Sequence, residues 1–333
     1  MKSRTKNLLS NEKIRELVMI HFGKGCEISE IEELKGGMFN AIYKMKRVKE
    51  QDEIVLKVGV VPGTPLLTYE QDVMPTEVAC FQMVEAQTNV PVPKILAYDF
   101  SKKHLAGNYY FMTAMKGVTL LSVMKKIDKG NLERIREEMA DYLWQMHQIK
   151  GPYFGYFTED KTKQYDTWEK AFFAMFEQLF EDGKAHGTKL PYQRIRKALE
   201  KNAVYLREVK KPALVEYDCH EGNIFVKEIN GEYRIEGILD LERAFWGDPA
   251  ADFPAAFIFT DDIRKEKAFL NAYMKKAGMT CFGPADVKRD QLYRMYILSV
   301  MTAEVFRYDY LYGKLQSLWA RHGIKKCLKE LEK

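Results

Sequence analysis

The stretch from Leu214 to Asp252 constrains the chain more than any other. The sequence before and after it reads as helix, but here it changes to three short runs of strand character, ALVE, NIFVKE and YRIEGILD, with Asn230-Gly231 between the last two. Asn-Gly supplies the two left-handed residues that a tight hairpin turn needs, so NIFVKE and YRIEGILD are expected to fold back on each other as antiparallel strands. Closing the hairpin there returns Asp240, at the end of the second strand, to the neighbourhood of Asn223, at the start of the first. Asp218 lies on the loop that leads in.

A carboxylate, an amide and a second carboxylate placed in this way suit phosphoryl transfer. That reaction asks a protein mainly for positioning and charge stabilisation. It needs hard oxygen ligands for Mg²⁺, here Asn223 and Asp240, and a carboxylate beside the acceptor hydroxyl, here Asp218. The D-x-x-x-x-N spacing alone recurs by chance in a chain of 333 residues, and a polar loop with an acid capping the next helix is the plain structural alternative. The hairpin, and the acid at its end, give the spacing its weight.

The first part of the chain supplies a nucleotide side for such a site. Residues 10 to 22 read as a helix capped by Ser10 or Asn11, with Ile14, Leu17, Val18 and His21 on one face. CEISEIEEL, GGMFNAIYKMKRV and EIVLKVGV follow as an antiparallel meander. At its first junction Gly36-Gly37 has the backbone freedom of a phosphate-covering loop, although a Gly-Gly pair between strands also makes an ordinary turn. Lys57 interrupts the apolar run IVLKVGV, where it either carries a buried charge or sits on the solvent face. A partner for it stands in MPTEVACFQMVEAQTNV, a helix expected to begin after Pro75 with Thr76 as its cap. Glu77 in that helix is the candidate to hold Lys57 on the α- and β-phosphates, while a glutamate in a first turn also suits the helix dipole. NYYFMTAMKGVTL then reads as a strand running into a linker, with Thr113 to Gly117 as a hinge. The backbone near Thr113 and Met115 is expected to meet an adenine edge.

Beyond the hinge the chain is mainly helical. NLERIREEMADYLWQMHQI carries Leu132, Ile135, Met139, Leu143 and Met146 on one stripe, with His147 as a structural residue at its end. Two further helices precede the hairpin, and the last third reads as DDIRKEKAFLNAYMKKAG followed by one long helix from Val287. The fold class is therefore α+β. A nucleotide-binding lobe is expected over residues 1–115, with an N-terminal antiparallel sheet, and a larger, mainly helical catalytic and substrate-binding lobe over 116–333. The net charge of +5 is spread along the chain, which argues against binding a nucleic acid polymer. Five scattered cysteines without a C-x-x-C pair, and no long uncharged apolar run, point to a cytoplasmic protein that does not enter a membrane.

With these residues in place the chain resembles the aminoglycoside phosphotransferase and choline kinase-like family, whose fold is similar to that of protein kinases. The family motif H-x-D-x-H-x-x-x-N, or a close variant, is matched by Asp218, His220, Gly222 and Asn223. The metal-binding aspartate is matched by Asp240 in ILDLE, and a G-D-P-x-x-D segment by Gly247, Asp248, Pro249 and Asp252. Gly36, Gly37, Lys57, Glu77, the M-x-x-M-x-G linker and the L-x-x-x-H helix end fall in family order. The resemblance implies a bilobal kinase-like fold, ATP and Mg²⁺ as cofactors, and a small hydroxylated substrate. One departure is Glu216, where the family most often has histidine; the E-x-D spacing predicts repulsion that raises the pKa of Asp218. That departure also keeps a second reading open, a catalytically silent nucleotide-binding regulator. A protein kinase does not fit, because no A-P-E segment follows Asp240.

Overall fold

The computed structural model describes residues 5–35, 39–71 and 73–333, so Gly36 and Gly37 lie outside the described residues. The first helix, α1 (Asn11–Phe22), is capped by the Ser10 side chain, which accepts the N–H of Lys13. Then come β1 (Ile28–Glu33), β2 (Ala41–Arg47), β3 (Glu53–Val58), α2 (Val73–Gln87), β4 (Ile95–Asp99) and β5 (Tyr109–Thr113). The five strands form one antiparallel sheet in the order β1-β2-β3-β5-β4.

The two faces of this sheet have different partners because side chains alternate along a strand. Ile54, Leu56 and Val58 of β3 join a core with Ile14, Leu17 and Val18 of α1. Val55 points the other way, into the core that includes Val78 and Phe81 of α2. Lys57 shares the parity of Val55, which is why it is buried, at 4% exposure, and not on a solvent face. The helix that faces it starts earlier than expected: α2 begins at Val73, and Pro75 sits in its first turn, where no intrahelical N–H is needed. Glu77 is consequently further into the helix and buried, and the dipole of a first turn does not explain it.

After the hinge the chain forms β6 (Val118–Thr119), α3 (Leu120–Val123), α4 (Lys129–Met146), β7 (Gly155–Tyr156), α5 (Trp168–Ala185) and α6 (Tyr192–Leu206). It continues with β8 (Ala213–Val215), β9 (Ile224–Ile229), β10 (Glu232–Ile238), β11 (Phe245–Gly247), α7 (Asp252–Ala256), α8 (Lys267–Ala277), α9 (Pro284–Ala303) and α10 (Tyr310–Glu332). The strands make two small sheets, β10-β9-β6 and β7-β11-β8. The β9–β10 hairpin turns at Asn230 and Gly231, whose φ values of 53° and 84° are the left-handed pair the sequence predicts. Its register runs from Glu232 opposite Ile229 to Ile238 opposite Ile224. Gly117 leads into β6 with φ 91°, and a Cβ there would stand 2.3 Å from the carbonyl oxygen of Val226 on β9, so this position accepts only glycine.

The long C-terminal helix is in fact two. A 3₁₀ turn at Glu304–Arg307 ends α9, and Asp309 caps α10 by accepting the N–H of Tyr312 at 3.0 Å. At the break Glu304 and Arg307 bond each other and also partners distant in sequence, Arg243 and Glu70, while Asp309 starts a new helix. The aromatics of α5 are core: Trp168, Phe172 and Phe176 pack with Tyr293 or Tyr296 of α9. The architecture is mixed α+β, a five-stranded antiparallel sheet followed by a mostly helical remainder. No helix among the described residues is long and apolar enough to cross a membrane.

Candidate active site

The ammonium of Lys57 lies where the five-stranded sheet, α2 and the end of the β9–β10 hairpin meet. Its Nζ donates to Glu77 Oε2 at 2.8 Å and Oε1 at 3.0 Å, to Asp240 Oδ1 at 2.8 Å and to Glu242 Oε2 at 3.1 Å. Asn40 Nδ2 reaches the same Glu242 oxygen at 3.0 Å. Burial works against the charge of Lys57, but Asp240, Glu242 and Glu77 outweigh it and hold the ammonium protonated well above its ordinary range. Burial is the largest effect on Asp240 and lifts it, yet the charge and hydrogen bond of Lys57, with Arg243 and His220, together outweigh it and keep this carboxyl below its usual range. Asp240 itself is left-handed, with φ 67°, a conformation that re-aims its side chain as the chain leaves β10.

Asp218 sits on the other side of the hairpin root. Its loop is fixed by buried groups. Asp252 Oδ1 and Oδ2 accept the backbone N–H groups of Tyr217 at 2.5 Å and Glu216 at 3.2 Å, and Oδ2 also accepts from His147 Nε2 at 2.7 Å. The other ring nitrogen of His147 meets Tyr273 Oη at 2.7 Å, so this histidine is structural, as its lone position in the sequence suggests. Asp252 therefore holds the Asp218 loop and makes no cap for α7, whereas Asp248 caps the 3₁₀ turn Pro249–Ala251 ahead of it, accepting the N–H of Ala250. Tyr217 carries the strain of the loop with φ 64°.

The carboxyl of Asp218 is pushed up to about 7 by burial, with Arg243 opposing the rise and Asp240, Glu242 and Glu304 adding to it. The expected repulsion from Glu216 lands elsewhere. The rise expected at Asp218 is present but comes from burial; Glu216 is itself fully buried, its Oε2 accepts the N–H of Asp218 at 2.8 Å, and its own carboxyl is raised as well, by burial first and then by Asp252 and Asp218. Glu216 thus acts on the backbone of Asp218, and its other oxygen has no partner among the described residues.

Asn223 donates its amide N–H to the carbonyl of Asp218 at 3.0 Å and accepts the N–H of Leu239 on its backbone at 2.9 Å. Asp218, Asn223 and the residue preceding Asp240 are thereby tied together, as the hairpin argument anticipates. The donor set also fits a divalent cation. Carboxylate oxygens of Glu77, Asp240 and Glu242 lie within 4.8 Å of one another and face one ammonium, an excess of negative charge built from hard oxygen donors. At the linker, Thr113 gives its backbone N–H to the carbonyl of Lys94 and its hydroxyl accepts the N–H of Lys94, both at 3.0 Å, so it ties β5 to the segment before β4. The Met115 side chain lies against Gly237 of β10.

Four further charged residues complete the surroundings, and sequence reasoning passed over three of them. Arg243 Nε lies 3.6 Å from Asp218 Oδ2, and its Nη2 lies 3.4 Å from Glu304 Oε2. Arg307 pairs with the same Glu304 oxygen at 3.2 Å and with Glu70 at 2.6 Å. Glu304 is thus salt-bridged to two arginines. A signal existed for both arginines: Arg243 interrupts the apolar LERAFW and Arg307 the aromatic VFRYDY, and a lone cation in such a run requires a partner.

Residues 30–288 match the sequence model of the phosphotransferase enzyme family. No curated protein matches the chain in sequence. Among solved structures, a thermostable mutant of aminoglycoside phosphotransferase APH(4)-Ia in ternary complex with AMP-PNP and hygromycin B is 16% identical, with a TM-score of 0.65 over 96% of this chain and 98% of that one. A candidate aminoglycoside phosphotransferase from Ralstonia eutropha is also 16% identical, with a TM-score of 0.66 over 97% and 98%. APH(2'')-IIa, in ternary complex with streptomycin and ATP, is 16% identical with a TM-score of 0.60 over 97% of each chain. Likeness at these identities is a likeness of fold.

Proposed function

The chain belongs to the phosphotransferase enzyme family, and from that premise we propose that it is a small-molecule kinase transferring the γ-phosphate of ATP to a hydroxyl of its substrate. One observation carries the reading: Lys57 Nζ touches Glu77 on α2 and Asp240 beyond the β9–β10 hairpin at once, which joins a nucleotide side to the loop bearing Asp218. Bound ATP supplies the transferable phosphoryl group, and Mg²⁺ the neutralisation its charge requires.

The residues then take these roles. Lys57, oriented by Glu77, presents its ammonium to phosphate oxygens. Asn223 and Asp240 hold the metal through their side-chain oxygens, with Glu242 beside them. The linker beyond Thr113, towards Met115, meets the adenine, and Gly36-Gly37 is proposed to cover the phosphates. Residues 1–115 form the nucleotide lobe, and residues 116–333 carry the base and the acceptor. Asp218, poised near neutrality, orients the acceptor hydroxyl and takes its proton. A test is ATP turnover with Mg²⁺ across a panel of hydroxylated compounds. Asp218→Asn and Asp240→Ala are each expected to lower acceptor-dependent turnover by about 10²-fold or more. Unchanged turnover in both variants would remove the mechanism. Glu216, in place of the family histidine, favours a second reading, a catalytically silent nucleotide-binding protein, for which ATP binds and no acceptor is ever phosphorylated.

A further inference from the structure

We propose that the pocket between Tyr69 and α5 is the acceptor pocket, and that it takes a flat, hydroxylated molecule of one or two rings with at most one positive charge. The inference rests on the kinase reading above and narrows it to a substrate class. A polycationic chain of amino sugars does not meet these terms.

Size is the first argument. The pocket has a volume of about 210 Å³. An apolar protein cavity of about 150 Å³ holds one benzene, so this one holds a substituted ring or two fused rings. Shape is the second. Tyr69 stacks on Tyr156 at 5.4 Å with an interplanar angle of 12°, and Tyr156 Oη meets Tyr296 Oη at 2.9 Å, so the lining offers flat aromatic surface. Ligands with planar rings match such walls.

Polar groups supply the third argument. Asp182 faces only neutral donors: Thr68 N at 2.8 Å, Thr68 Oγ1 at 2.7 Å and Gln178 Nε2 at 3.3 Å. It makes no ion pair among the described residues, so its charge is available to one cation. The other lining carboxylate, Glu242, is already matched by Lys57 at 3.1 Å, and the lining cation, Lys163, lies 3.9 Å from Asp160, which leaves Asp182 as the lining carboxylate without a cation among the described residues.

The pocket also borders the charged cluster at Lys57, through Glu242 in its wall, whose Oε2 accepts from Lys57 Nζ at 3.1 Å. Glu242 and Ala244 in its wall flank Arg243, whose Nε lies 3.6 Å from Asp218 Oδ2. The ring of Tyr296 lies 6.0 Å from that of Tyr217, the residue before Asp218.

The test uses the full chain and four probes: tyramine, serotonin, 2-phenylethanol and kanamycin. Calorimetry measures binding of each, and turnover with ATP and Mg²⁺ measures phosphorylation. Wild type is expected to bind at least one ring probe and to prefer it to kanamycin. Ala174→Trp, which fills the pocket from the half-buried side of α5, is expected to weaken that probe roughly tenfold or more. Asp182→Asn keeps the shape and removes only the charge, and a loss of about fivefold is expected for tyramine or serotonin but not for 2-phenylethanol. The proposal is overturned if no ring probe binds, if kanamycin is preferred, or if a bound ring probe has the same affinity in wild type, Ala174→Trp and Asp182→Asn. Ring probes that bind with the expected losses but are never phosphorylated support the pocket and count against the kinase reading. Kanamycin phosphorylated equally well by wild type and Ala174→Trp supports the kinase reading and rejects the pocket.

Discussion

Asp218 has a charge on each side of it, and the balance sets its acid strength. Burial lifts its carboxyl to about 7, Arg243 pulls it down and Glu304 pushes it further up. A base works ionised, so kcat/KM is expected to rise with pH on an acid limb centred near 7. Arg243→Gln removes the pull and moves the limb to higher pH; Glu304→Gln removes a push and moves it lower. Shifts in the opposite directions would contradict the assignment. Lys57 makes a second prediction at this scale. Replacing it with methionine leaves the buried Glu77 carboxyl without its ammonium, and removing one partner of a buried pair costs about 3–5 kcal/mol. Burial already raises Glu77 against the pull of Lys57, and losing that pull raises it further. A raised carboxyl favours the folded state below the ordinary carboxylate range and loses that advantage as pH rises through the raised value. Denaturant melts of Lys57→Met should therefore show a larger deficit near pH 8 than near pH 5.

Among the elements, the β9–β10 hairpin and the glycine that feeds it set the geometry of the site. Gly117 has a left-handed φ of 91° and lies against the Val226 carbonyl, so Gly117→Ala combines backbone strain with a clash on β9. A loss of about 2 kcal/mol or more is expected, measured by thermal unfolding, with a raised KM for ATP because the linker leads directly into β6, the strand that pairs with β9. Elements whose cause is local were legible in the sequence. Asn230-Gly231 dictates its turn, the parity of IVLKVGV offers Lys57 to one face or the other, and the stripe from Leu132 to Met146 marks α4. Features whose cause is tertiary were not. Both faces of β3 are buried, and only the packing of α2 shows why the face bearing Lys57 is one of them. The break between α9 and α10 follows from partners of Glu304 and Arg307 that are distant in sequence, and the role of Asp252 appears only when the Asp218 loop is laid over it.

At the scale of the whole molecule, the sheet-bearing part and the helical part are joined by charge as well as by the linker. Arg307, just before α10, pairs with Glu70 ahead of α2 at 2.6 Å, and its guanidinium lies 5.3 Å from the ring centroid of Phe39 before β2. Through Glu304 and Arg243 the same chain of alternating charges reaches Asp218. Arg307→Met is therefore expected to raise KM for ATP and for the acceptor together, by roughly three- to tenfold, since it loosens how the two parts meet and leaves Glu70 and Glu304 with one cation fewer. An effect on thermal stability with both KM values unchanged would assign Arg307 to folding alone.

The central claim is that Asp218, Asn223 and Asp240 face a nucleotide held by Lys57 and act on a hydroxyl. The most direct measurement is transfer of radiolabelled γ-phosphate from ATP in a single turnover, with and without Mg²⁺, by wild type, Asp218→Asn and Asp240→Ala over a panel of small hydroxylated acceptors. Label appearing on an acceptor only with wild type and Mg²⁺ is the predicted result. ATP that binds yet transfers no label to any acceptor, or label transferred equally by all three proteins, would contradict the account.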